Sequence, residues 1–220
     1  MSEMKPVLAI LGGTGKEGPG LAMRWAPAGY RIIIGSRQLE KAQATAQQLN
    51  EFLELTTITG LENSLAARKA DICILTVVST AHQSALASLK DDLQGKILVD
   101  ATARVDFRNP KPPPTPSAAR MAQDCLGPGV RVVAAFQNVP AHALKANLNQ
   151  PLASDVLVCS DDAESAERVI HLAHDGGMQA YFAGGLDNAV VVEGLSALLI
   201  SLNQYYNTKT ASIGITGIAQ

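Results

Sequence analysis

The chain has 220 residues and is 47% hydrophobic but only 4% aromatic, with a formal net charge of −2. That length suits one large core, or a nucleotide-binding domain with a small companion, and the apolar residues are mostly Ala, Leu, Ile and Val, as a buried parallel sheet under helices requires. The charge excludes a broad basic face for nucleic acid, and the three cysteines, Cys73, Cys125 and Cys159, form no C-x-x-C pair and read as reduced core thiols.

The first six residues are polar, and the apolar run 7–11 breaks at Gly12-Gly13, too soon for a signal-peptide core or a membrane span. No later stretch reads as long and uncharged enough to span, so a soluble cytoplasmic protein with no membrane partner is expected. Short apolar runs then alternate with Ala-rich amphipathic stretches. Strands are expected over 7–11, 31–35, 56–58, 72–77, 97–99 and 130–134, and helices over 15–25, 39–52, 63–69, 81–89 and 117–125. This β-α-β-α order predicts a Rossmann-like, doubly wound parallel sheet covered on both faces.

Residues 101–116 interrupt the alternation with Lys111-Pro112-Pro113-Pro114-Thr115-Pro116, a stiff extended segment. It reads either as a surface excursion or as a rim over a ligand, because it follows the fifth strand. After Pro151 come a strand over 156–159, a helix over 163–174 capped by Asp161-Asp162, a strand over 178–182 and a long apolar helix over 188–206 with Glu193 as its only internal charge. The expected division is a dinucleotide-binding domain, 1–150, and a small C-terminal α/β extension, 151–220, ending in that helix. A helix this apolar is buried on more than one side, which predicts a homodimer.

The strongest motif is Gly13-Thr14-Gly15-Lys16-Glu17-Gly18, a G-x-G-x-x-G between an apolar strand and a helix. Gly13 is expected to permit the tight turn, Gly15 to let backbone approach a pyrophosphate, and Gly18 to let helix pack on strand. The helix amino end then faces the phosphates. At the end of the second strand stand Ser36, Arg37 and, one helical turn on, Lys41. No Asp or Glu is present there for a ribose 2′-hydroxyl, whereas a hydroxyl, a guanidinium and an ammonium suit a 2′-phosphate. The cofactor reading is therefore NADP(H). His82, His142, His171 and His174 have no companion ligands, so no metal site is expected. His82 reads as solvated or as a ribose or phosphate contact, and Asp100 as a ligand contact or a structural cap or turn residue.

Three segments together resemble a known family: Leu11-Gly12-Gly13-Thr14-Gly15, Gly35-Ser36-Arg37 with Lys41, and Val139-Pro140-Ala141 leading to Ala146-Asn147-Leu148. They are similar to the coenzyme F420-dependent NADP oxidoreductases, which in turn resemble the cytosolic domain of membrane ferric reductases. The resemblance implies hydride transfer between NADPH and the deazaflavin F420. It implies pyrophosphate contacts from Thr14, Gly15, Lys16 and Glu17, and 2′-phosphate contacts from Ser36, Arg37 and Lys41. Val77 and Ala141 would flank the nicotinamide, and Gln137 and Ser196 would border the reacting rings. The chain departs from the family pattern on the acceptor side, at Ser79, Gln137 and Val190. With no Arg near Val190, either the acceptor carries less negative charge than an F420 tail or that tail is bound elsewhere, through Arg104 or Arg108. Reduction of free flavin or of a small carbonyl or imine, and a non-catalytic NADP(H)-sensing role, stand as alternatives.

Overall fold

The computed structural model describes residues 5–218. Its strands are β1 (Leu8–Leu11), β2 (Ile32–Ser36), β3 (Ile58–Glu62), β4 (Ile72–Leu75), β5 (Ile97–Asp100), β6 (Arg131–Ala134), β7 (Leu152–Ser160) and β8 (Met178–Phe182). Its helices are α1 (Gly18–Trp25), α2 (Leu39–Leu53), α3 (Asn63–Lys69), α4 (His82–Leu89), α5 (Ala118–Leu126), α6 (Ala141–Leu144), α7 (Ala163–Asp175) and α8 (Ala189–Tyr205). The strands join in the order β3-β2-β1-β4-β5-β6-β7-β8. The expected doubly wound α/β sheet is present.

Alternation along the central strands divides the core into two layers. Leu8 and Ile10 of β1 pack with Leu21 and Trp25 of α1, Ala42 and Leu49 of α2, and Val169 and Leu172 of α7. Ala9 and Leu11 face the other way, toward Ala66 of α3, Leu86 of α4, Ala122 of α5 and Val192 of α8. Strands buried on both sides read as continuous apolar runs, which is why β1, β2 and β4 are plain in the sequence.

The edge strand β3 begins where the expected 56–58 strand ends, and runs on through Gly60. A Cβ at Gly60 would lie 2.3 Å from the Ala42 carbonyl carbon, so the glycine marks the close approach of α2 rather than a break. Helix α1 starts at Gly18 instead of residue 15, because the glycine turn occupies the intervening residues.

The chain connects β1 to β2 and β3 on one side and β4 to β5 and β6 on the other. A crevice therefore opens at the carboxyl ends of β1 and β4, the switch point of such sheets. The sheet continues past residue 150, so the stretches 1–150 and 151–220 share it. Strand β7 runs antiparallel to β6, pairing Ser160 with Val133, and β8 runs parallel to β7. That reversal sends α8 back toward the carboxyl edge.

One expectation is corrected here. The helical stretch Leu186–Tyr205 is long and apolar enough to cross a membrane by length and composition, with 39% of its span buried within the fold. Its buried residues include Ala189, Val192, Ala197 and Leu199, and of its two charges Asp187 is exposed and Glu193 is buried. These are contacts of a helix packed on a protein core.

Candidate dinucleotide and hydride-transfer site

The turn between β1 and α1 is built on four glycines with different duties. Gly12 has φ +73°, the left-handed region, and a Cβ there would meet Val77 Cγ1 at 2.6 Å. The Gly12 N–H donates to Asn63 Oδ1 at 3.1 Å. Gly13 donates to the carbonyls of Ile10 and Gly35, and a Cβ on it would stand 2.6 Å from the Ile10 oxygen. A Cβ on Gly18 would stand 2.6 Å from Gly13 Cα, so Gly18 lets α1 close onto the turn. Gly15 differs: its Cβ would meet only the Gly12 and Thr76 carbonyl oxygens, at 3.6 and 3.9 Å. It is exposed and no part of the fold forbids a side chain there. The left-handed turn residue is thus Gly12, one position before the expected Gly13. Lys16 beside Gly15 is exposed and Thr14 partly so.

At the end of β2, Ser36 is buried and its Oγ accepts from the Gln38 N–H at 3.2 Å, which turns the chain into α2. Arg37 and Lys41 are both exposed, and neither has an ion-pair or hydrogen-bond partner among the described residues. Two uncommitted cations one turn apart beside the glycine turn are fit to hold an added phosphate. The open face of Gly15 likewise fits a pyrophosphate backbone.

A buried polar group lies at the carboxyl ends of β4, β5 and β6. His82 Nε2 is 2.6 Å from Asp100 Oδ2, with side chains 2% and 0% exposed. The other Asp100 oxygen accepts from the Thr102 N–H, and its carbonyl accepts from Gln137 Nε2 at 2.8 Å. His82 is therefore buried with its Nε2 engaged by Asp100, which corrects the solvated reading. Phe136, before Gln137, is fully buried with φ +73°, a costly conformation for a bulky residue, and its ring meets Trp25 edge-on at 5.6 Å. That strained turn aims Gln137. Ser196 Oγ on α8 donates to the Gln137 carbonyl at 2.7 Å, so these two expected residues stand together. Ala141 opens α6, which packs on α1 where Leu144 Cβ would lie 2.7 Å from a Cβ on Gly20. Buried Arg24 of α1 fastens this segment by donating to the carbonyls of Ala143, Leu144, Ala146 and Gln150.

The proline-rich loop is pinned. Glu193 Oε1 accepts from the Arg104 backbone N–H and from Arg104 Nε at 2.8 Å, and Oε2 accepts from the Ala118 N–H. Arg104 Nη2 reaches the carbonyls of Pro114 and Pro116. Arg104 is thus committed within the fold and is not the free cation expected for an acceptor tail, whereas Arg108 is exposed. The cysteines Cys73 and Cys159 are buried, and burial pushes their thiols up to about 12 and about 11. Asp162 caps α7 by accepting from the Ser165 N–H at 2.8 Å, as its place before the helix implies.

The structure brings the expected residues into two groups. Gly13–Gly18 and Val77 meet at the glycine turn with Ser36, Arg37 and Lys41 beside it, and Gln137 and Ser196 meet at the end of β6. Asn63, the His82–Asp100 pair and Arg24 escape sequence reading, because each acts on residues 18 to 126 positions away.

The chain matches the family model described as NADP oxidoreductase, coenzyme F420-dependent, over residues 7–104. It is 41% identical to an F420-dependent NADP reductase of Methanocaldococcus jannaschii, over 96% of this chain and 98% of that one. A rat metalloreductase, STEAP3, is 30% identical over 89% of this chain but only 37% of its own length. A crystal structure of a provisionally assigned F420-dependent NADP-reductase from Arthrobacter sp. FB24 superposes with TM-score 0.80 over 97% of this chain and all of that one, at 24% identity. The chain belongs to the coenzyme F420-dependent NADP oxidoreductase family.

Proposed function

We propose that the protein transfers a hydride between NADPH and coenzyme F420. One observation carries the reading: an open Gly15 face and two unpartnered cations, Arg37 and Lys41, stand together in a chain alike from end to end to reductases of that name. Thr14–Gly18 hold the pyrophosphate, Ser36, Arg37 and Lys41 the 2′-phosphate, and Val77 and Ala141 the nicotinamide side. When bound, NADPH supplies the hydride and F420 the ring that takes it. Transfer between two rings calls on no protein nucleophile, so the chain contributes binding and alignment. In that role Gln137 and Ser196, hydrogen-bonded to each other, are positioning residues beside the rings. The working form is a cytoplasmic homodimer.

NADPH oxidation assayed with F420, FMN, FAD and a small quinone tests the acceptor, with turnover expected on F420 above the others. Tight NADPH binding without turnover on any of them selects a sensing subunit instead. In the same series Arg37→Ala with Lys41→Ala weakens NADPH binding by about 2–4 kcal/mol, the scale of one or two charge-assisted hydrogen bonds, and leaves NADH unchanged. Equal affinity of the wild type for NADH and NADPH contradicts the 2′-phosphate assignment.

A further inference from the structure

We propose that Glu17 is a neutral carboxylic acid in the free protein and donates a hydrogen bond to the bound dinucleotide, so that NADPH affinity is linked to a single proton. This deepens the cofactor reading above and rests on it.

Glu17 occupies the last position of the glycine turn, at the N-cap of α1, yet it caps nothing with its side chain. The residue as a whole is partly exposed, but Oε1 is shut off from solvent and has no hydrogen-bond partner. Two more buried, unpartnered oxygens, Thr102 Oγ1 and Gln137 Oε1, belong to residues bonded to Asp100. Thr102 and Gln137 thus each leave one atom unpaired beside Asp100, the carboxylate whose charge reaches Glu17, at the carboxyl edge where a ligand enters. Buried polar atoms without partners are rare, and a cluster of them marks a place completed by something else.

The charged group that acts on Glu17 is Asp100 on β5. His82, at the start of α4, pairs with Asp100, and Lys16 precedes Glu17 in the turn with its side chain exposed. Two carboxylates sharing an enclosed site do not both ionise cheaply. Asp100 has the His82 ring and the Thr102 N–H to hold its charge, whereas Glu17 has no donor. The proton therefore resides on Glu17, and burial, with the Asp100 charge behind it, pushes the Glu17 carboxyl up to about 8. A neutral acid there presents a donor to phosphate or ribose oxygens, and an ionised one presents a like charge.

The test is the NADPH dissociation constant, read by cofactor fluorescence from pH 7 to 9.5, above the 2′-phosphate titration near about 6. In the wild type affinity falls as pH rises through about 8, approaching about tenfold per pH unit beyond it. Glu17→Gln, a permanently neutral donor of the same shape, binds as the wild type does at pH 7 and keeps that affinity at pH 9.5. Calorimetry of the wild type at pH 8.5 in buffers of different ionisation enthalpy shows net proton uptake on NADPH binding. Tight binding that is flat with pH and takes up no proton overturns the inference alone, as does an unchanged pH dependence in Glu17→Gln. No NADPH binding at any pH overturns the cofactor reading, and the inference with it.

Discussion

A Cβ on Gly18 has nowhere to go, since Gly13 backbone lies 2.6 Å from it, whereas one on Gly15 meets only two oxygens, at 3.6 and 3.9 Å. With Gly13, whose Cβ would stand 2.6 Å from the Ile10 oxygen, the motif contains two glycines required by the fold and one that the fold leaves free. Gly18→Ala is expected to cost about 1–3 kcal/mol of stability by overpacking, seen as a lower denaturant midpoint. Gly15→Val is expected to stay within about 0.5 kcal/mol of the wild type and yet abolish NADPH binding in calorimetry. Loss of stability at Gly15 with binding retained contradicts its place against the pyrophosphate. At this scale the part of the motif that bears on the fold was legible from its fixed spacing, as at Gly18, which lets α1 pack closely in the structure as expected. Gly12 was overlooked as the left-handed residue because the motif spacing does not include it, and the side chain that crowds it is Val77, in the loop after β4. The Asp100–His82 bond was hidden for the same reason: each residue alone reads as a turn or a solvated side chain, and only the pairing of β4 with β5 joins them.

Among the elements, α8 has the largest hold on the site. Glu193 is 1% exposed and Arg104 20% exposed, so their ion pair is largely dry and the loop over 101–116 hangs from it. Removing one partner strands the other as a buried charge. Arg104→Ala is therefore expected to cost about 3 kcal/mol, with faster amide exchange through that loop and an unchanged NADPH dissociation constant. A stability within about 0.5 kcal/mol of the wild type contradicts this anchoring role. Long periodic elements such as α2 and α7 were legible nearly to their ends. The four-residue α6 was not, because its placement comes from Arg24 and Gly20 of α1 rather than from its own sequence.

The whole molecule leaves one face uncovered. Val191, Leu198, Leu202, Tyr205 and Tyr206 are between 37% and 82% exposed on or just after α8. A contiguous apolar patch of this kind marks an interface, and a self-complementary helix face favours a two-fold pair. The sequence also offers the apolar tail over 210–219 as partner surface, of which residue 219 lies outside the described residues. Part of that tail is already taken: Ile213 O accepts from the Asp155 N–H, and Ser212 Oγ donates to the Ala153 carbonyl. Light scattering at micromolar concentration is expected to give twice the 23.1 kDa chain mass, and Leu198→Asp with Leu202→Asp to give the single chain. A wild-type monomer there contradicts the assembly.

Arg24 gives α1 a second duty. Its amino end abuts the glycine turn, and through one guanidinium the same helix grips four carbonyls of the segment beginning near Ala141. In mechanical terms α1 is a calliper, with one jaw at the proposed phosphate end of the dinucleotide and the other at the proposed nicotinamide end. Eight residues of helix span about 12 Å and do not stretch, so the gap between the jaws is set by a rigid bar and not by the loops that touch the ligand. A change in the composition of such a loop, 101–116 among them, would leave the gauge of the site as α1 sets it.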